Sequence, residues 1–271
     1  MPKIIYREDV KIIKKSFKQK FKTFAIFLSI VLVGYGCFCI ASYLSAALTV
    51  GNLGSLIVYG DTKLKLDKSI MYAVMLGSYS DKDEASKVAL GATIQGASGY
   101  VWEDGDYYVV GNIYTSKDDA VKVVENLKES KYKVSIKEIN FPKLIFDFDM
   151  YSNSDMGVVK KAISTFDDIY DFLYNYSIKF DKGEVTNLAV SSALSEVRGE
   201  LKALIVKVQK LINQHDSVLT NVQSALIKCD ELLDQTIIKT IDNSSTNYSL
   251  KYSIASVVRI KFQLYNEFVS M

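Results

Sequence analysis

The sequence predicts an α+β chain: a single N-terminal transmembrane helix, a βαββαβ domain and a C-terminal helical bundle. Three observations carry that prediction. Residues 23–60 hold no charged side chain, while residues 1–22 hold eight basic residues against Glu8 and Asp9. The segment from Tyr72 to Ala85 reappears, shifted by 35 positions, as Tyr107 to Ala120. Beyond residue 154 the apolar residues recur at helical spacing in four successive stripes.

Composition narrows the function classes. The formal charge of +2 over 271 residues conceals an asymmetry, +6 in residues 1–22 against −4 in residues 61–271. Two prolines and 14 glycines exclude collagen-like and Pro/Gly-rich disordered chains. Three cysteines build no disulfide framework, and one histidine, His215, excludes a multi-histidine metal site within one chain. No HExxH, P-loop, GxSxG or CxxC motif is present, so neither an enzyme nor a cofactor is expected.

Residues 1–22 read as a cytoplasmic basic tail and 23–50 as the membrane helix. The apolar run from Phe24 to Leu48 is long enough to cross the ~30 Å hydrocarbon core. The basic tail keeps the N-terminus inside and places the later domains outside. Ser45-Ala46-Ala47 resembles a signal-cleavage site, but the apolar run exceeds a signal-peptide core of roughly 7–15 residues, which favours a retained anchor. Gly34, Gly36, Ala41 and Ser45 are small residues of the kind that pair membrane helices, so a homodimer is one expectation. Cys37 and Cys39 are apolar fillers in this segment. Residues 51–68 read as a linker, with 56–59 either a short strand or a helix extension.

The repeat gives each half of residues 69–140 the order strand, turn, helix. Strands are expected at 71–78, 100–103, 107–113 and 132–139. Asp81 and Ser116 are N-cap types opening two helices, and Asp104-Gly105 is a hairpin signal. Period-2 parity turns Val74, Leu76, Val109, Val134 and Ile136 towards the two helices. The other face then carries Ala73, Met75, Tyr108 and Val110, with Tyr100 and Trp102 beside them and Lys133, Ser135 and Lys137 on the last strand. Tyr100, Trp102 and Tyr108 are either an exposed platform for sugar rings or bases, or packing beneath the C-terminal helices.

At these residues the chain resembles the SPOR (sporulation-related) domain family. The resemblance rests on Tyr72-Ala-Val-Met-Leu-Gly-Ser-Tyr79, the helix entered through Glu84-Ala85, Gly99-Tyr-Val101, and Tyr108-Val-Val110 followed by Asp119-Ala120. It implies a βαββαβ fold that binds septal peptidoglycan, as glycan strands stripped of stem peptides, through an open sheet face. The family often has Gln on the first strand, three positions before Ser; here those positions hold Met75 and Ser78, so the Ser is kept and the Gln is not. The implied glycan-binding residues are Met75, Ser78, Tyr100, Trp102, Tyr108, Val110 and Ser135.

Residues 141–154 read as a connector, with 144–148 a further strand or extended chain. Residues 155–271 read as a helical bundle for division or sporulation partners. Its stripes are Val159 to Leu173, Leu188 to Ile212, Val222 to Ile241 and Ile254 to Phe268, with Gly183, Asp216-Ser217 and 242–247 between them. His215 is a turn residue. Asp167-Asp168 and Asp230-Glu231 point in different directions on their helices, as solvated faces and not as acid/base pairs. Residues 70–140 hold 8 basic and 11 acidic residues, which argues against nucleic acid as a partner. The order of tail, span, SPOR-like domain and extension is similar to the stage II sporulation protein B type. The sequence therefore predicts a non-catalytic protein of a bacterial cell membrane, acting at the division or sporulation septum. The competing expectation is a septal scaffold whose sheet face is covered.

Overall fold

The computed structural model describes residues 56–59, 63–148, 151–212, 217–241 and 246–271. The basic tail, the expected span at 23–50, Cys37, Cys39, His215 and Asp216 lie outside the described residues. Among the described residues, no helix is long and apolar enough to cross a membrane. Asn52–Met271 form one compact unit.

The repeat folds as expected. Strand β3 (Ser69–Tyr79) leads to α1 (Lys82–Thr93), then to the hairpin of β4 (Tyr100–Asp104) and β5 (Asp106–Tyr114), to α2 (Lys117–Asn126) and to β6 (Ser135–Phe141). Asp81 caps α1 by accepting the Glu84 N–H at 2.8 Å, and Ser116 caps α2 through the Asp119 N–H at 3.3 Å. Gly105 turns the hairpin at φ +74°, a conformation that suits glycine. The sheet order is β4-β5-β3-β6, antiparallel throughout, so each strand–helix–strand crossover skips one strand. The last strand begins at Ser135, later than the expected 132. Its ladder with β3 runs from Ser69↔Phe141 to Met75↔Ser135 and stops where β3 becomes irregular.

Within the expected linker and connector, strands form at 56–59 and 144–147, where a strand was one of two readings, and at 63–66, where none was expected. β1 (Leu56–Tyr59), β2 (Lys63–Leu66) and β7 (Leu144–Asp147) form a second sheet in the order β1-β2-β7. In β2 the alternation Lys-Leu-Lys-Leu buries Leu64 and Leu66, while Lys63 pairs with Asp147 at 3.3 Å. Four residues are too few for periodicity to register, and the pairing partner of β2 lies far along the chain.

The four stripes become α3 (Asn153–Asp181), α4 (Asn187–Leu211), α5 (Ser217–Ile241) and α6 (Thr246–Val269). Ser152 and Asp155 form a capping box at the start of α3. Val159, Ala162, Ile163, Phe166, Ile169, Tyr170 and Leu173 are all buried, as the first stripe requires. Leu188 and Ile241, at stripe ends, are instead exposed because each sits in a terminal turn beyond the packed part of its helix.

The bundle is joined to the sheet. Helices α1 and α2 cover one sheet face, where Leu76 and Val109 pack with Ala85, Ala89 and Ala92. Helix α6 lies over the other, and α3 joins it through the Tyr170 hydroxyl, which donates to the Ile113 carbonyl at 3.0 Å. The face expected to be open is therefore covered. The physical reason is that α6 carries buried apolar residues on more than one side: Ile254, Val257, Val258, Leu264, Tyr265 and Phe268 are all buried, and small Ser253 and Ser256 allow close packing between them, so the helix needs cover on both sides. Towards α5 its seam is polar, with Thr236 and Ser253 hydroxyls 2.6 Å apart.

Candidate functional site

Strand parity, with a register shift between Met75 and Gly77 that brings Ser78 opposite Tyr108, places the expected site residues on one face, but most of that face is interior. Met75 and Trp102 are each 1% exposed and Val110 is fully buried. The Trp102 ring lies 5.6 Å from Phe262 and carries the Arg259 guanidinium 4.7 Å above it. Phe141 meets Phe262 and Tyr265 at 6.3 and 5.1 Å. The Lys261 ammonium sits 4.6 Å over the Phe141 ring and pairs with Asp167 on α3 at 2.6 Å. Expectations of an open surface at Met75, Trp102 and Val110 are thus corrected by the apolar underside of α6.

The remaining expected residues lie at the margin of this seam. Tyr108 is half-buried beneath Lys137, whose ammonium is 4.1 Å from the ring centre and pairs with Asp104 at 2.7 Å. Ser78 is exposed and donates to Asp106 at 3.4 Å, and Ser135 is exposed. Tyr100 is half-buried edge-on to Tyr252, with ring centres 5.2 Å apart. Burial pushes the Tyr100 hydroxyl up to about 12, against the opposing pull of the Arg259 charge.

Beside Tyr100 the structure opens a cleft of about 400 Å³ between the edge strand β4 and helices α5 and α6. Tyr100 and Tyr252 form one wall. Arg259, its guanidinium over the Trp102 ring, lines the cleft together with Lys228, Glu231, Gln235 and Gln263. Apart from Tyr100, none of these was visible as a site residue. The available signal was the scarcity of arginine, which the chain uses only at Arg7, Arg198 and Arg259. Arg198 bridges α4 to Asp230 (2.8 Å) and Asp234 on α5, and Arg259 stacks on the only tryptophan.

The adjacent carboxylates separate as expected; Asp167, Asp168 and Asp230 are partners in ion pairs, while Glu231 keeps the exposed position expected of it. Asp167 reaches Lys261 on α6, while Asp168 pairs with Lys161 of its own helix at 2.8 Å. Asp230 faces Arg198 and Glu231 faces the cleft. Among the described residues, no group of three His, Cys, Asp or Glu side chains could hold a metal ion. Comparison with protein-family models, with curated proteins and with solved structures gives no match.

Proposed function

We propose that this chain is a non-catalytic, membrane-anchored interaction protein of the bacterial division or sporulation septum. In this reading the SPOR-like domain seats the helical bundle, and the bundle's outer surface receives partner proteins. The single observation that carries it is the burial of Trp102 between β4 and α6. A glycan strand on the sheet face would need the surface that α6 occupies.

Magnitudes favour a permanent seat over a lid. Met75, Trp102, Val110 and Phe141 from the sheet and Phe262 and Tyr265 from the helix would all gain water if α6 lifted. At roughly 1.5–3 kcal/mol for each large apolar side chain, the cost is about 9–18 kcal/mol, an upper estimate. That equals or exceeds the ~5–15 kcal/mol that holds a typical domain together. Lifting α6 is then close to unfolding. The Lys251 ammonium adds a clasp, donating to the Gly96 carbonyl at 2.9 Å and pairing with Asp181 at 3.0 Å.

The test is a full-length fluorescent fusion in a dividing or sporulating bacterium with one membrane. Enrichment at septa is expected, and it should persist in a Ser78→Ala/Tyr108→Ala variant. Uniform membrane fluorescence would refute the septal role. Loss of enrichment in the double variant would return the function to the exposed margin of the sheet.

A further inference from the structure

We propose that the cleft between β4, α5 and α6 binds a saccharide bearing a carboxylate, at a site distinct from the sheet face on which the family resemblance places glycan binding. The inference does not rest on the septal reading, and either can fail alone.

Arg259 is the first ground. Its guanidinium is oriented by stacking on Trp102 at 4.7 Å and by Phe262 at 5.8 Å, yet its N–H groups meet no acceptor among the described residues. A planar fork held in place and left without an acceptor suits a carboxylate. Lys228 stands on the same cleft and likewise has no ion-pair partner among the described residues.

The net charge of the lining selects against stronger anions. Lys228 and Arg259 are balanced by Glu103 and Glu231, so the cleft is neutral overall. A polyphosphate or nucleic-acid backbone would meet two carboxylates for its two cations. A ligand with a single negative charge and many hydroxyls meets one cationic end and acceptors elsewhere.

The lining side chains point to a sugar ring. Tyr100 and Tyr252, packed edge to face, with the Lys239 ammonium 5.2 Å over the Tyr252 ring, leave ring edges and hydroxyls on the cleft to meet a pyranose. The amides of Gln235 and Gln263 and the carboxylates of Glu103 and Glu231 offer both donors and acceptors for ring hydroxyls, and none is hydrogen-bonded within the described residues. A volume of about 400 Å³ lies within the ~300–1,000 Å³ of small-ligand sites and well below what a protein domain needs.

Trp102 is the only tryptophan and stacks on Arg259, so its emission reports on the site. The full chain in detergent micelles is titrated with D-glucuronate and with N-acetylmuramate, against N-acetylglucosamine, tripolyphosphate and an acetylated dipeptide. A saturable change is expected with both acids, with the neutral sugar weaker by roughly tenfold, the scale of one lost charge-assisted pair. Arg259→Gln should weaken the acids similarly. Because that variant also disturbs packing on Trp102, Lys228→Ala/Gln263→Ala provides an independent readout. Both positions are exposed and unbonded, and the double variant should bind the acids several-fold more weakly with unchanged circular dichroism. The proposal is overturned by any of four results: no saturable response to either acid, an equal response to the neutral sugar, tighter binding of tripolyphosphate or the dipeptide, or undiminished binding in the double variant.

Discussion

Trp102 separates a covered sheet from an open one by magnitude alone. In the structure it is 1% exposed, packed on Phe262 and capped by Arg259. Truncation to alanine removes a large buried side chain and leaves a cavity, a change that costs about 3–5 kcal/mol. Loss of the aromatic and cation–π contacts falls within that figure, at roughly 0.5–2 kcal/mol. On an open platform the same substitution would be a surface change, worth about 0.5 kcal/mol or less. Chemical denaturation of the full chain in mild detergent, followed by far-UV circular dichroism, measures the difference. The covered face also predicts that acrylamide quenches native Trp102 weakly and that quenching rises sharply across the unfolding transition. A Trp102→Ala loss below about 1 kcal/mol, together with strong quenching in the native chain, would refute the covered sheet and the reasoning built on it.

Three further outcomes follow from the same seam and from the bundle interior. Lys261 is 6% exposed and neutralised by Asp167, so Asp167→Ala should destabilise by about 1–3 kcal/mol, and Asp167→Ala/Lys261→Met should recover most of that loss; a double variant as unstable as the single one would contradict the pairing. Burial raises the Cys229 thiol from its ordinary 9.0 to about 12 and the Tyr100 hydroxyl from 10.0 to about 12. The unfolded groups therefore ionise first as pH rises, the unfolded state binds fewer protons, and stability present below about pH 9 should be lost between about 9 and 12. In a Cys37→Ser/Cys39→Ser background, Cys229 should resist maleimide until the chain unfolds; rapid native labelling would show the thiol to be accessible.

Much of this architecture was legible because it is local. Asp81 and Ser116 cap helices by hydrogen bonds to residues three positions on, and side-chain alternation follows from the geometry of a single strand. Parity thus sorted Leu76 and Val109 from Met75, Trp102 and Val110 correctly. The 35-residue repeat placed both strand–helix units, and the spacing of Val159 to Leu173 marked the buried side of α3. Of the three-stranded sheet, 56–59 and 144–148 each had a strand as one of two readings, but β2 and the pairing were not legible, because β2 has four residues and must find β7 across the whole repeat domain.

The faces of each element, their caps and their order along the chain are written in neighbouring residues, where steric and hydrogen-bonding rules act over a few positions. Which apolar surface meets which is a question of long-range packing. Lys251 reaches the Gly96 carbonyl across 155 positions, and any amphipathic stripe in residues 155–271 had comparable means to cover the sheet. Folding placed α6 there, buried on nearly every side between the sheet and the other helices, and that arrangement turned an aromatic platform into a core and opened a polar cleft at its edge.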